Sequence, residues 1–315
     1  MASTQAIMVD HSVTGNLAIR EVPAPTPLPS EAVVQVTALS LNRGETRRAM
    51  QSPDGWRPGW DLAGVVAQAA ADGSGPSHGA RVVGLLPSGA WATHVAVPTH
   101  ALAVLPDAVT FAQAATLPVA GLTALHALGQ RGALLQRRVL ITGATGGVGD
   151  FAVQLAHLAG AQVIAAVRRP EQDALVRPLG ADDVVIGDSV EAFERCGPYD
   201  LVLDSVGGPT LAAGMAVLAK DGVCVTLGIS GAAEATFDVR RFFMTGRTRL
   251  YGFILFSELE AEPAALGLAR LAHLVAAGQV RPTISVEAPW QQIASVAQQL
   301  LERRFPGKAV LQVSV

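Results

Sequence analysis

Cysteine is scarce in this sequence, which has two, Cys196 and Cys224, among 315 residues. Two thiols cannot form the disulfide framework of a small secreted domain or the four-thiolate shell of a structural zinc site. The amino terminus also lacks the basic segment and apolar core of a secretory signal. We therefore expect a protein of a reducing compartment, the cytoplasm.

Charge is also scarce. Charged residues make up 16% of the chain, and 23 Lys and Arg against 26 Asp and Glu give a net charge of −3. This balance provides no broad positive field for nucleic acid. The uncharged stretch 108–130 contains Pro118, Gly121 and His126, which suit a buried turn and helix start better than a membrane span. We expect neither nucleic acid nor membrane as a partner.

Half of the residues are hydrophobic, so a chain of this length can bury the cores of about two domains. The first hundred residues predict short strands joined by turns, with little helical period. After about Leu117, short apolar strands alternate with helical segments, from 138–142 to a last strand at 250–255. This alternation predicts βαβ units and a parallel sheet, followed by helices near 264–277 and 291–303 and a strand at 308–313.

A glycine-rich turn, GATGGVG at 143–149, lies directly between a predicted strand and a predicted helix. Glycines at 143, 146 and 149 let the backbone turn sharply, approach a pyrophosphate and pack the helix on the sheet. The helix amino terminus then offers unpaired N–H groups and a positive dipole end to the phosphates. The alternative is an ordinary tight turn. The expected dinucleotide contacts in this turn are Gly143, Thr145, Gly146, Gly147, Val148 and Gly149.

The end of the second strand of this unit indicates which dinucleotide binds. An NAD site places Asp or Glu about 20 residues beyond the glycines, to accept from the ribose 2′-hydroxyl. This chain has Arg168 and Arg169 there, and two guanidinium groups suit the 2′-phosphate of NADP. The alternative is a solvated arginine pair, and Glu171 leaves strict selectivity open. We expect NADP(H) as the cofactor.

Several short motifs follow one another along nearly the whole chain, and together they resemble one family. With these motifs in this order along the chain, the sequence resembles one branch of the medium-chain dehydrogenase/reductase superfamily. This branch is the zinc-independent quinone oxidoreductases, which include the zeta-crystallins. The resemblance implies an α/β fold, with a doubly wound Rossmann sheet inserted in a GroES-like β-barrel catalytic domain. It places the catalytic domain at 1–117 and 257–315, the Rossmann domain at 118–256, and the active site in the cleft. The motifs are LNRGE at 41–45, GWDLAGV at 59–65, LPVAGLTA at 117–124, the glycine turn, LGAD at 179–182, DSVGG at 204–208 and GKAVL at 307–311.

The resemblance also implies chemistry without a metal. Metal-dependent relatives hold catalytic zinc at three positions that correspond here to Asn42, Trp60 and Val119. An amide, an indole and an isopropyl group do not form the thiolate and imidazole shell that zinc prefers. We expect no metal, and hydride transfer from NADPH to an acceptor that is already electrophilic, a quinone or an α,β-unsaturated carbonyl.

The expected catalytic residues lie in the first hundred residues. By family analogy Asn42 donates a hydrogen bond near the nicotinamide or the substrate oxygen, unless it only caps a loop. Arg43 and Arg47, with Arg48, form a basic cleft for an acidic substrate or an oxyanion, or else a solvated face. Trp60 provides an apolar wall for a flat acceptor, unless it belongs to the core.

The remaining cofactor contacts are carried over by position in the family. They are expected at the start of one helix and at strand ends on the carboxyl edge of the sheet. The only two tyrosines, Tyr199 and Tyr251, fall on predicted strands, which disfavours a tyrosine-dependent enoyl reductase mechanism. The expected contacts are Thr123, Ser205, Val206, Leu227, Gly228, Ile229, Phe253, Ile254 and Leu255.

The leading interpretation is an NADPH-dependent, metal-free reductase of quinones or enones, of the NADPH:quinone oxidoreductase type. One alternative is a reductase of an enoyl thioester or a biosynthetic enone, and another is a low-turnover NADPH-binding sensor or structural protein. We expect a homodimer, because an apolar last strand at 250–255 would leave an open sheet edge unless a second subunit covered it.

Overall fold

The computed structural model describes residues 3–313, and these form two compact units. The first unit combines the chain up to Leu122 with the chain from Leu259 onward, and the second unit is Thr123–Glu258. The predicted domain limits, 117/118 and 256/257, lie within a few residues of these divisions.

Strands occur in both units. In chain order they are β1 Ser3–Val9, β2 Leu17–Pro23, β3 Glu31–Ser40, β4 Asp61–Gln68, β5 Arg81–Leu85, β6 His94–Pro98, β7 Leu102–Val104, β8 Arg138–Ile141, β9 Gln162–Val167, β10 Asp183–Ile186, β11 Tyr199–Asp204, β12 Leu218–Thr226, β13 Arg249–Gly252, β14 Ile284–Pro289 and β15 Lys308–Gln312.

Most helices are short. They are α1 Arg43–Gln51, α2 Phe111–Ala115, α3 Leu122–Gly129, α4 Gly147–Leu158, α5 Asp173–Val176, α6 Val190–Glu194, α7 Gly208–Ala216, α8 Val239–Met244, α9 Leu255–Glu258, α10 Ala264–Ala276 and α11 Ile293–Leu301. One turn of π-helix, Leu117–Gly121, joins α2 to α3. Within residues 3–313, no helix has the length and apolar character needed to cross a membrane.

The second unit is built on a six-stranded parallel sheet in the order β10-β9-β8-β11-β12-β13. Numbered within this unit the order is 3-2-1-4-5-6, the doubly wound Rossmann arrangement, so the predicted parallel sheet is confirmed. Its direction of winding reverses between β8 and β11, and ligands of such sheets bind outside the carboxyl ends of the strands at that point. Leu140, Val202 and Cys224 are buried in the sheet because helices cover both of its faces.

The first unit is a largely antiparallel β-structure completed by the end of the chain. Its main sheet runs β14-β15-β3-β4-β5-β7, and β6 also pairs with β3. β15 pairs with β3 through Val310 opposite Ser40, so residues far apart in sequence share one sheet. Trp91 and Trp290 are fully buried in its core.

Two local predictions are wrong. The first hundred residues contain helix α1, which the sequence pattern did not indicate, because two of its three buried residues, Glu45 and Thr46, are polar. The last parallel strand ends at Gly252, and Leu255 begins α9 instead of closing the strand. Phe253 N still donates to Thr226 O, so the chain leaves the sheet one residue after β13.

Candidate functional site

The glycine turn lies at the point where the second unit's sheet reverses. β8 ends at Ile141, and Gly146 precedes the first residue of α4 without any side chain capping that helix. The first N–H groups of an uncapped helix have no partner within the helix and carry its positive dipole end. A dinucleotide pyrophosphate is the group that such a turn accommodates.

Space requires glycine at two positions in this turn, and at Gly143 the backbone conformation requires it as well. Gly143 has φ +60°, a left-handed value that favours glycine. A Cβ on Gly149 would lie 2.4 Å from Gly143 O, and one on Gly143 would lie 2.4 Å from Ser205 Oγ. The backbone of α4 therefore packs directly on the turn, with no room for a side chain between them.

A buried carboxyl holds the strand ends beside the turn. Asp204, at the end of β11, accepts Thr142 Oγ1 at 2.7 Å and Gly207 N at 2.8 Å. Burial raises the pKa of Asp204, and these hydrogen bonds oppose that shift. Ser205 in turn donates its N–H to Thr142 Oγ1 and its hydroxyl to Thr142 O, both at 3.1 Å. Ser205, a predicted cofactor contact, is thus fixed next to the glycine turn.

Two arginines, Arg168 and Arg169, directly follow β9 at the carboxyl end of that strand. Arg169 Nε lies 2.9 Å from Glu171 Oε1, and both side chains are exposed. The buried Gln172 side chain accepts the backbone N–H groups of Arg168 and Arg169, at 3.0 and 3.1 Å. Its Nε2 also lies 3.4 Å from Thr145 Oγ1, which links this loop to the glycine turn.

Gln172 is therefore a positioning residue that sequence reasoning missed. The one available signal was its place three residues after Arg169, the spacing at which a Gln or Glu side chain returns to a helix start.

The other predicted cofactor contacts occupy varied surroundings. Thr123 is buried in α3, and Phe253 and Leu255 are each 6% exposed. A Cβ on Gly228 would lie 2.8 Å from Ser205 O, so the chain after β12 passes close to the end of β11. Ile229 and Ile254, by contrast, are 56% and 65% exposed. Val206 and Leu227 are partly buried at the same strand ends.

In the first unit a buried polar cluster forms around Asp61, and we define it as Ser40, Asn42, Glu45, Asp61 and Lys308. Asp61 Oδ2 accepts Ser40 Oγ at 2.6 Å, Asn42 Nδ2 at 2.7 Å and Lys308 Nζ at 3.3 Å. Lys308 Nζ also donates to Asn42 Oδ1 at 2.6 Å. The carboxylate of Asp61 and the ammonium of Lys308 are both almost fully buried, so each compensates the other's charge.

Asn42 has no unused side-chain N–H in this arrangement. Its Nδ2 donates to Glu45 Oε1 at 2.9 Å as well as to Asp61. The predicted donation from Asn42 to a substrate or cofactor would require this cluster to open, and it stays a prediction.

The carboxyl group of Glu45 is the unusual member of the cluster. It is fully buried, its Oε1 accepts the backbone N–H and Nδ2 of Asn42, and its Oε2 has no hydrogen-bond partner among the described residues. Burial, and then the nearby charge of Asp61, raise the pKa of Glu45 well above its ordinary value. The folded protein therefore favours the protonated form of this carboxyl more than the unfolded chain does.

The other predicted catalytic residues make structural contacts. Arg43 donates to the carbonyls of Leu300 and Leu301 at the end of α11, at 3.3 and 3.4 Å. Trp60 Nε1 donates to Pro87 O at 3.0 Å, and its ring lies against α1, because a Cβ on Gly44 would come within 3.0 Å of it. Arg47 is partly buried on α1. Catalytic roles for Arg43, Arg47 and Trp60 stay predictions.

Comparisons with known proteins identify the family. The chain is 30% identical over 312 residues to the chloroplast envelope quinone oxidoreductase homolog of Arabidopsis thaliana, covering 93% of this chain and 92% of that one. The chain belongs to the zinc-independent quinone oxidoreductase branch of the medium-chain dehydrogenase/reductase superfamily. A family profile described as zinc-binding dehydrogenase matches residues 147–270.

Further relatives extend this medium-chain family assignment. The chain is 32% identical over 303 residues to a mycocerosic acid synthase-like polyketide synthase of Mycobacterium tuberculosis, and spans 14% of that protein's length. A mycobacterial protein solved in complex with NADPH matches with a TM-score of 0.87 at 26% identity, over 98% of this chain and 99% of the other. The predicted fold class, a Rossmann domain with a GroES-like domain, is confirmed.

The residues of this medium-chain reductase do not fit a catalytic zinc ion. The three positions that correspond to zinc ligands lie around Asp61. The Asn42 side chain donates from Nδ2 to Asp61 Oδ2, and Val119 N donates to Asp61 Oδ1 at 3.0 Å. Trp60 directly precedes Asp61 in the sequence. None of the three side chains is a thiolate, imidazole or carboxylate, the ligands that zinc prefers. The segment that matches the zinc-binding profile, 147–270, includes none of them.

The raised pKa of Glu45 predicts how the stability of the protein depends on pH. A carboxyl whose pKa is higher in the folded protein binds its proton more tightly there, so this contribution is complete below the ordinary pKa and declines as pH rises. Glu45→Gln keeps an acceptor for Asn42 and is neutral at every pH. Its free energy of unfolding should rise relative to wild type by about 1.4 kcal/mol per pH unit above pH 5, while the native carboxyl stays protonated.

Denaturant unfolding from pH 5 to pH 8 measures this difference. Glu260→Gln is the control, because Glu260 is exposed and its replacement should give a difference that changes little with pH. A flat difference for Glu45→Gln as well would contradict a raised pKa for Glu45.

Proposed function

We propose that this protein is an NADPH-dependent oxidoreductase that transfers hydride, without a metal ion, to a quinone or an α,β-unsaturated carbonyl. The observation that carries the proposal is the start of α4, which no side chain caps and which directly follows the glycine turn. It lies between β8 and β11, where the winding of the 3-2-1-4-5-6 sheet changes direction. The full-length similarity to a quinone oxidoreductase homolog favours the same acceptor class. We place the protein in the cytoplasm, since Cys196 and Cys224 are both free thiols.

The choice of the NADP form rests on the loop after β9. No acidic residue follows Val167 directly, and Arg168 and Arg169 come next. Gln172 holds the backbone of both arginines, so their side chains start from a fixed position at the edge of the site. Guanidinium groups bind phosphate through paired hydrogen bonds, which a 2′-phosphate accepts and a 2′-hydroxyl does not.

The residues of the chain would act mainly by orientation. The bound cofactor supplies the hydride, and the charge that develops on the acceptor oxygen needs a hydrogen-bond donor. Because the N–H groups of Asn42 and Trp60 are donated within the first unit, we assign these residues to positioning. Arg47, partly buried on α1, stays a predicted donor to the acceptor oxygen, and solvent would protonate the product.

A second candidate is reduction of an enoyl thioester or another biosynthetic enone. The similarity to one segment of a polyketide synthase favours it. A tyrosine proton donor is disfavoured, since Tyr199 donates its hydroxyl to Phe193 O and Tyr251 donates to Glu258 Oε1. Burial also raises the pKa of Tyr199, which makes its phenol a weaker acid. Such a reductase would therefore work without tyrosine.

Cofactor selectivity provides the first test of the proposed function. NADPH oxidation should be followed with ortho- and para-quinones, enones and crotonyl thioesters, beside titrations of NADPH and NADH. Loss of a charge-assisted hydrogen bond is worth about 1.5–3 kcal/mol, so Arg168→Ala should raise the Kd for NADPH by about 10- to 150-fold. The Kd for NADH should change little.

Arg195→Ala, which removes an exposed arginine of the second unit, is the control and should leave both constants unchanged. Equal affinity for NADPH and NADH, unaffected by Arg168→Ala, would overturn the assignment of Arg168 to the 2′-phosphate of NADPH. Tight NADPH binding without oxidation by any acceptor would instead indicate the low-turnover sensor.

We also propose that two copies of the chain associate through β13. This strand forms the end of the parallel sheet, pairing with β12 and with no further strand among residues 3–313. Leu250 is 44% exposed, and Ile254 just beyond the strand is 65% exposed. A two-fold axis at this edge would pair β13 with its own copy and cover both side chains.

Replacing Leu250 by Lys should shift the protein from dimer to monomer, because the charge would be buried against its own copy. Leu158→Lys is the matched control, since Leu158 is 43% exposed in the same unit. Sedimentation equilibrium measures the molecular mass. A wild-type monomer, or a Leu250→Lys dimer as stable as wild type, would contradict this interface.

A further inference from the structure

The segment that follows β9 contains acids as well as the two arginines that we assign to the cofactor. Residues 168–177 include three arginines and two acids, which gives the segment a net charge of +1. Glu171 Oε1 lies 2.9 Å from Arg169 Nε. Asp173 Oδ1 lies 3.2 Å from Arg177 Nε. Each acid of the segment is therefore paired with an arginine of the same segment, and one of these arginines is a predicted cofactor contact.

The backbone brings Arg169 and Glu171 together. Arg169 is extended, with φ −138° and ψ 144°, and directly precedes one turn of 3₁₀-helix, Pro170–Gln172. The ring of Pro170 fixes φ of the single residue that separates the two charges. The buried Gln172 side chain accepts the backbone N–H of Arg169 at 3.1 Å, which fixes the start of the same turn. The pair therefore rests on a backbone that is already ordered.

An ordered backbone matters because both side chains are exposed, Arg169 by 66% and Glu171 by 65%. Exposed ion pairs usually contribute little, since solvent screens the charges and two long side chains lose conformational entropy when they pair. Between Arg169 and Glu171 a smaller part of that entropy remains to be lost, because Pro170 and Gln172 restrict the turn. Glu171 is therefore positioned to compete with an outside anion for Arg169.

A 2′-phosphate would be such an anion. Phosphate and carboxylate oxygens bind guanidinium in the same way, as acceptors of paired N–H groups. NADPH would thus displace the Glu171 carboxylate from Arg169 or place its phosphate beside that carboxylate, and either arrangement lowers the affinity. NADH has a neutral 2′-hydroxyl at this position, so its affinity does not depend on the same competition.

We propose that Glu171 is a specificity-determining residue, which weakens the preference for NADPH over NADH by holding Arg169. This inference rests on the proposed NADPH-dependent function and adds a residue that opposes its cofactor preference. Arg168 then makes the larger contribution to the 2′-phosphate, and Arg169 contributes less than its charge allows. All three residues belong to the second unit, which also contains the glycine turn.

Titrations of the full chain with NADPH and NADH test the role of Glu171. Glu171→Gln keeps a hydrogen-bond acceptor for Arg169 and removes the charge, so the Kd for NADPH should fall about three- to fivefold. The Kd for NADH should stay within about twofold of wild type. Asp173→Asn is the matched control, because it removes the same charge from the same segment but from a carboxylate that pairs with Arg177. It should change the Kd for NADPH by less than about twofold.

A double-mutant cycle measures whether Glu171 acts through Arg169. In an Arg169→Ala background, Glu171→Gln should change the Kd for NADPH by less than about twofold, because no guanidinium is left to be released. Adenosine 2′,5′-bisphosphate and adenosine 5′-monophosphate give a second readout, which requires neither nicotinamide nor turnover. Glu171→Gln should bind the bisphosphate about three- to fivefold more tightly and the monophosphate as wild type does.

An unchanged Kd for NADPH in Glu171→Gln would overturn the proposal. A higher Kd would overturn it as well, since the carboxylate would then hold Arg169 in place for the phosphate. An equal gain for NADH, or a gain that persists without Arg169, would also contradict it. If wild type binds NADPH but reduces no acceptor, the proposed reaction fails, and the titrations still decide the role of Glu171. If wild type binds neither NADPH nor the bisphosphate, the proposed cofactor fails and this inference fails with it.

Discussion

The carboxylate of Asp61 is the point at which distant parts of the first unit are joined. It accepts hydrogen bonds from Ser40 on β3, from Lys308 on β15 and from Val119 in the π-helical turn. These three residues come from separate stretches of the sequence, so one buried ion pair connects the start of the chain with its end. Removing either partner would leave an uncompensated buried charge, which typically costs about 3–5 kcal/mol.

This constraint explains why residues expected to act on substrate are held by the protein itself. Asn42 donates both of its amide hydrogens inside the cluster, and Arg43 caps a helix end. The second unit depends on a different constraint, the close approach of Gly149 to Gly143, which leaves the start of α4 open to phosphate. The two constraints act separately, one within each unit.

The glycine turn was predictable because a close approach of two backbone segments requires glycine at fixed spacings. The parallel sheet was predictable because its buried strands appear in the sequence as short apolar runs. Helix α1 and Gln172 were not predicted, since the side chains that they bury are polar and bond to groups within four residues instead of forming an apolar pattern. Asn42 and Glu45 have the spacing of a helix start, which was the available signal for α1. The partner of an arginine such as Arg131 cannot be predicted from sequence, because its partner Asp200 lies far along the chain.

The central claim is metal-free transfer of hydride from NADPH to an activated acceptor. The most direct measurement uses NADPH deuterated at C4 of the nicotinamide, with an enone as acceptor, in protein treated with a chelator and assayed for zinc. Metal-free hydride transfer should give full activity without stoichiometric zinc, and deuterium on the β-carbon of the reduced product. Loss of activity on chelation that zinc restores, or a product whose β-carbon hydrogen comes from solvent, would contradict it.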